Sequence, residues 1–140
     1  MAETLPTELH LTVVTRDRKL IDVEVDEVVL PAVNGQMGVL PGHTPLLAML
    51  GIGELMYRVG STLRRMVVTS GFAEVLPDRV IVLAEGATLA EEIDRAQAER
   101  VRAESEKELM GIASHDPAFA VLQARLDEST VQIQLSGRAE

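Results

Sequence analysis

The sequence predicts a β + α chain: an N-terminal antiparallel β-sandwich or flattened barrel, residues 1–87, followed by a C-terminal antiparallel two-helix hairpin, residues 88–140. Three observations carry this. Apolar residues recur with a period of two from residue 8 to about 86, an Ala-, Glu-, Arg- and Leu-rich run begins at 88, and "SHDPAF" stops and restarts that run.

The strands come first. In "ELHLTVV", Leu9, Leu11 and Val13 alternate with His10 and Thr12; in "LIDVEVDEVVL", Ile21, Val23 and Val25 alternate with Asp22, Glu24 and Asp26. Side chains on a strand point to opposite faces in turn, so both stretches read as half-buried strands with a polar outer face. Further short strands are expected at "ELMYRV", "TLRRMVVT", "FAEVL" and "RVIVLA", separated by turn signals at "VGS", "SGF" and "LPDRV". Pro77-Asp78 suits a tight hairpin turn. Many short strands at this spacing mean a sandwich or barrel.

The helices follow. Thr88 with Glu91 three residues on is a capping-box pattern, and "TLAEEIDRAQAERVRAESEKELMGIA" has neither proline nor glycine before Gly111. This predicts a helix of roughly 24 residues, about 36 Å long. Its apolar positions Leu89, Ile93, Ala96, Val101, Leu109 and Ile112 form a narrow stripe that suits packing against one neighbour. Asp116 as cap and Pro117 at the first helical position start a second helix, with Phe119, Leu122 and Leu126 on one face. Beyond Glu128, "STVQIQL" is β-branched and alternates, which favours a strand or a frayed end.

Composition narrows the function. The 140 residues carry a net charge of −9 and only three aromatic side chains, Tyr57, Phe72 and Phe119, which argues against a nucleic-acid surface or direct binding to acidic lipid. Cysteine is absent, so neither a disulfide nor a thiolate metal site can form. No apolar run approaches the ~20 residues that cross a bilayer, and the first residues match neither a secretory signal nor a transit peptide. A soluble protein of the prokaryotic cytoplasm is expected, with a protein or a small molecule as partner.

No catalytic constellation emerges. "NGQMGVLPGHTPLL" has the glycines of a phosphate loop, but no lysine follows and Pro41 and Pro45 interrupt any helix start. A G-x-S-x-G elbow is absent, Ser70 lying in a strand-turn-strand setting instead. His10, His43 and His115 have no metal-ligand spacing, so no metal and no cofactor is expected. For His43 the simplest reading is a loop histidine that fixes its own turn, with partner contact as the other.

The order of "GQMGVLPGHTPLLAML", "SGFAEVLPDRVIVLAEGA" and "AEEIDRAQAER" along nearly the whole chain resembles the epsilon subunit of the bacterial F-type ATP synthase. The resemblance implies a non-catalytic rotor subunit, peripheral on the cytoplasmic face of the bacterial inner membrane. Its sandwich would bind the gamma subunit and sit on the c-ring, passing proton-driven rotation to ATP synthesis. Its hairpin would restrain ATP hydrolysis, transiently touching the alpha and beta subunits. The family's ring-facing loop maps onto Gly35, Gln36, Met37 and Gly38, with Pro41, Gly42 and His43 beside it. Relatives often have an acid at Gln36, so a polar rather than an ionic contact is expected there.

Some members bind ATP on the hairpin through I/L-D-x-x-R-A and A-L-x-R-A-x-x-R-L. Ile93, Asp94 and Ala98 match the first and Arg125 and Leu126 the end of the second, but Gln97 and Val121 stand where two arginines would be. Charge-assisted arginine contacts are the strong ones, so ATP binding is expected to be weak or absent. Residues 88–140 hold six Lys/Arg against eleven Asp/Glu, a net of −5. Strong inhibitors in the family use basic groups, so inhibition here is expected to be mild or independent of ATP. The alternative to the rotor reading is a free-standing β-sandwich that binds a small ligand under a helical lid; a small hydrolase is disfavoured by the missing nucleophile-base pair.

Overall fold

The computed structural model describes residues 5–137. The strands are β1 (Leu9–Val14), β2 (Lys19–Val25), β3 (Glu27–Ala32), β4 (Gly35–Val39), β5 (Leu46–Val59), β6 (Thr62–Leu76) and β7 (Arg79–Leu89). A single 3-10 turn, Ala90–Glu92, leads into helices α1 (Arg95–Met110) and α2 (Pro117–Ser136). The strands form one seven-stranded sheet in the order β2-β1-β7-β6-β5-β3-β4. All neighbours are antiparallel except β1 and β7, which run parallel with His10 opposite Arg79, so the antiparallel expectation holds for every pair but this one. Sequence-adjacent strands can turn back on each other, whereas β1 and β7 come from opposite ends of the sheet segment and meet only as the sheet closes. The sheet folds over on itself: β2 packs against β5 although three strands stand between them.

Period-two alternation builds the interior. Leu9, Leu11 and Val13 of β1 are fully buried, as are Val80 and Val82 of β7 and Val28 and Leu30 of β3. Together with Leu55, Met66, Val68, Ala73 and Val75 they make one continuous core. Each fully buried Val or Leu contributes about 1.5–3 kcal/mol relative to exposure.

Two long strands replace expected short ones, because a crease takes the place of a turn. "TLRRMVVT" and "FAEVL" are halves of the single strand β6, and "ELMYRV" is the second half of β5. Ser70 (φ 55) and Gly71 (φ 134) bend β6 without ending it. The inward-facing positions change parity there: Met66 and Val68 before the bend, Ala73 and Val75 after it. β5 does the same between Leu50 and Leu55, and β7 between Ala84 and the half-buried Ala87. Leu50, Gly71 and Ala84 are in register, as are Ile52, Thr69 and Gly86, so the crease runs straight across three strands through Gly51, Ser70 and Glu85. It lets one sheet supply both layers of the sandwich. "LIDVEVDEVVL" also divides in two, at Asp26. The turn at Pro77-Asp78 joins β6 to β7 as the sequence predicts.

The helices differ from expectation at both ends. β7 continues through Thr88 and Leu89, so the Thr88 capping box does not form. The Leu89 N–H donates to the Glu92 carboxylate (3.2 Å), and α1 starts later, capped by Asp94, which accepts from the Gln97 N–H at 3.1 Å. The later start makes Ala98, not Ala96, the small residue turned inward, on a stripe with Val101, Ser105, Leu109 and Ile112. α2 runs unbroken through "STVQIQL" to Ser136, against the expected strand or frayed end. Packing overrides β propensity here, because Ser129 and Leu135 are buried. The Ser129 and Thr130 hydroxyls donate to the Leu126 carbonyl at 3.0 and 2.7 Å, returning to the helix the hydrogen bonds that a strand would have used. α1 and α2 pack as a hairpin, and Arg95 Nη1 donates to the Ser136 hydroxyl at 3.4 Å where the two helices close. α2 lies against β5 and β6.

Candidate interaction surface

Strand "RVIVLA" is apolar on both faces. Val80 and Val82 fill the core, which leaves Ile81 and Leu83 on the outside, and Phe72 of β6 also points outward because the crease has reversed its parity. Register then assembles a row. Met49 stands opposite Phe72, Phe72 opposite Leu83, and Leu83 opposite Val14 across four adjacent strands. Met49, Phe72 and Leu83 are 55%, 47% and 56% exposed. Exposed Leu47 lies two residues along β5, and exposed Val33 is held beside the row by its N–H, which donates to the Met49 carbonyl at 2.9 Å. A groove of about 300 Å³ runs at the end of the row between Val14, Phe72 and Leu83. A contiguous apolar surface of this kind on a sheet marks an interaction site, for a protein, a membrane or a ligand. The row escaped the sequence reading, although the unbroken apolar run "RVIVLA" is the signal of a strand covered on both faces.

The predicted ring-facing residues lie together at the far edge of the sheet. Gly35, Gln36, Met37 and Gly38 are not a loop: they belong to edge strand β4, where half-buried Met37 and buried Val39 tie the chain to β3. The turn itself is Val33-Asn34, and Gln36 is exposed opposite Pro31. Pro41 and Gly42 form the next turn, with Gly42 at φ 85, a conformation that favours glycine. The Gly42 N–H donates to the Pro77 carbonyl at 2.7 Å, joining this turn to the β6–β7 turn. His43 Nδ1–H donates to the Thr44 carbonyl at 2.7 Å and its backbone N–H to Leu40 at 3.2 Å, so His43 does fix its own turn.

The hairpin motif residues are not gathered into one site. Ile93 and Asp94 sit at the start of α1, beside the C-terminal end of α2, where Arg95 meets Ser136. Arg125 is eleven residues back along α2, about 16 Å away along the axis. Asp94 is engaged as the α1 cap, and Gln97 accepts from Arg100 at 2.8 Å. Val121 and Arg125 instead line a cavity of about 420 Å³ under α2, at the crease.

Elsewhere on the sheet, His10 is flanked on both ring nitrogens by carboxylates: Nδ1 by Glu24 at 2.6 Å and Nε2 by Asp22, which also accepts from Lys19 at 3.1 Å. The hydrogen bond to Asp22, seconded by that to Glu24, raises the His10 pKa above its usual 6.5. No group of three or more His, Cys, Asp or Glu among the described residues is arranged to hold a metal ion.

Comparison with known proteins places this geometry. The family model described as the ATP synthase Delta/Epsilon chain beta-sandwich domain matches residues 8–90, the whole sheet. The ATP synthase epsilon chain 2 of Syntrophotalea carbinolica is 41% identical over 94% of this chain and 95% of its own length. The ATP synthase epsilon chain of Citrifermentans bemidjiense is 40% identical over 99% and 98%. That of Solibacter usitatus is 48% identical over 84% and 88%. In fold, the chain is similar to one in the cryo-EM structure of the Euglena gracilis mitochondrial ATP synthase, with a TM-score of 0.78 at 24% identity, covering 97% of this chain and 84% of that one. A sheet matched from end to end and full-length relatives at about two-fifths identity have one meaning: the chain belongs to the epsilon chains of the ATP synthase delta/epsilon family.

Proposed function

We propose that this chain is a non-catalytic subunit of the central stalk of a bacterial F-type ATP synthase, with a sandwich that grips a gamma subunit and a hairpin that regulates. The observation that carries the reading is the apolar row Leu83–Phe72–Met49, left exposed beside half-buried Val14 on a sheet whose other face is filled. Transmission of torque needs a rigid body bound over a broad surface. A creased sheet with one continuous core supplies the rigidity, and the row supplies an apolar centre for the contact.

The other contacts follow from position. Gln36 on the uncharged edge strand β4 and the turn Pro41–His43 are the groups we assign to the c-ring, with polar rather than ionic contacts. On this reading the subunit is peripheral, on the cytoplasmic face of the inner membrane. The helical segment expected from residue 88, which follows the end of β7 at Leu89, is the separable regulatory unit and lies docked on β5 and β6. With a net charge of −5 it lacks the basic groups that strong inhibitors of the family use, so its restraint of hydrolysis is mild. The spread of Ile93, Asp94 and Arg125 along the hairpin argues against a tight triphosphate site and supports weak or absent ATP binding. A free-standing ligand-binding sandwich is not favoured, because the interior is packed with side chains that are 0–8% exposed.

The test is co-expression with a gamma subunit of the same family followed by size-exclusion chromatography. Elution as a stoichiometric complex supports the proposal; a chain that elutes alone under all conditions contradicts it.

A further inference from the structure

α2 covers the crease, and the cavity beneath it holds an unusual set of charges. Glu128 of α2 and Glu85 of β7 line the same space as Ile52, Thr69 and Ser70, with Arg125 one turn before Glu128 on the helix. Glu128 makes no ion pair or hydrogen bond with any described residue, and neither Arg125 nor Glu85 is paired with it. Of the other charges on the facing strands, Arg65 is joined to Glu54 at 2.8 Å, Arg58 stands 3.6 Å from Asp26 and Glu27, and neither these nor Arg64 and Glu74 line the cavity. Glu128 is thus half-buried on the docking face without compensation. A carboxylate in that position is disfavoured by desolvation, whereas a neutral carboxyl is not.

We infer that Glu128 is a proton-binding site that sets the strength of hairpin docking: uptake of one proton in the crease cavity holds α2 on the sheet, and its loss loosens the hairpin. Burial raises the Glu128 pKa above its ordinary 4.5, in keeping with this. A group whose docked-state pKa is raised stabilises docking fully below its undocked value and loses that contribution as pH rises through the docked value. The docked-to-undocked ratio therefore climbs by up to about tenfold for each unit that pH falls within that window and levels off near 4.5. The inference rests on the reading of the hairpin as a unit that can leave the sheet.

The chain has no cysteine, so one pair can be introduced without background. Spin labels at exposed Thr62→Cys and Ser114→Cys of the full chain report the distance between sheet and hairpin tip by pulsed electron resonance from pH 4.5 to 8.5. Val67→Asp is the control. Val67 is 1% exposed yet outside the sandwich core, so the substitution charges the docking face while leaving the core intact. The expected result is a docked fraction that rises on acidification in the wild type, and a Glu128→Gln variant that is docked and insensitive to pH. If Val67→Asp undocks while the wild type is insensitive to pH, or Glu128→Gln keeps the wild-type pH response, the proton site is refuted and the switch survives. A hairpin that stays docked even in Val67→Asp overturns both.

Discussion

Gly71 and Leu83 approach so closely across β6 and β7 that a Cβ on Gly71 would stand 2.1 Å from the Leu83 carbonyl oxygen. Gly71 also has φ 134, which L side chains rarely adopt. Both facts follow from the crease, where three strands bend together and leave no space for a side chain at that point. Gly71→Ala is therefore expected to destabilise the sandwich by roughly 3 kcal/mol or more, through strain and a backbone clash together. A urea midpoint within error of the wild type would show that the crease does not need this glycine.

The His10 cluster makes stability depend on pH. Because its carboxylate neighbours raise the His10 pKa above 6.5, its contribution is complete below 6.5 and is lost as pH rises through the higher folded value. The wild type should lose stability over that window relative to a His10→Gln variant. The groups are exposed and screened, so the difference is small. Urea midpoints of the two proteins measured every half unit from pH 6 to 9 should converge as pH rises; parallel curves would remove His10 from the account.

Much of the fold was legible because local and tertiary preferences agree in most of it. The period of two in β1 and β2, the Pro77-Asp78 turn and the Asp116-Pro117 helix start each depend on near neighbours alone. The failures occur where distant contacts decide. "SGF" has the residues of a turn, and only the pairing of Gly71 and Phe72 with Leu50 and Met49 on one side and Ala84 and Leu83 on the other makes it a bend within a strand. "STVQIQL" has strand propensity, and burial of Ser129 and Leu135 makes it helix. Thr88 and Asp94 are both good caps, and the pairing of Thr88 with Val67 in the sheet settles the choice. In the candidate site, "GQMGVLPGH" was recognisable as shaped backbone, but the apolar row was not, because its members come from four strands.

Removal of the hairpin tests its role in the assembled enzyme. Truncation after Glu92 leaves the sheet whole and deletes α1 and α2. Hydrolysis of ATP by the complex is expected to rise by less than about fivefold, equivalent to about 1 kcal/mol of restraint. A rise of several tens of fold would mean that the hairpin inhibits strongly despite its acidic charge.

Titration of the full chain with ATP is expected to give no saturable heat at micromolar concentration, since Gln97 and Val121 replace cations and Arg125 stands far from Asp94. Saturation in that range would require the hairpin to rearrange around the nucleotide.

The apolar row is the surface we assign to a gamma subunit, and its affinity for gamma is the decisive measurement. Phe72→Asp combined with Leu83→Asp alters two exposed side chains outside the core, so the fold should persist by circular dichroism. Two central anchors of an interface are worth about 2–4 kcal/mol each, so the double variant should bind gamma at least about a hundredfold more weakly than the wild type. Equal affinity of the folded double variant and the wild type would contradict the assignment of this surface.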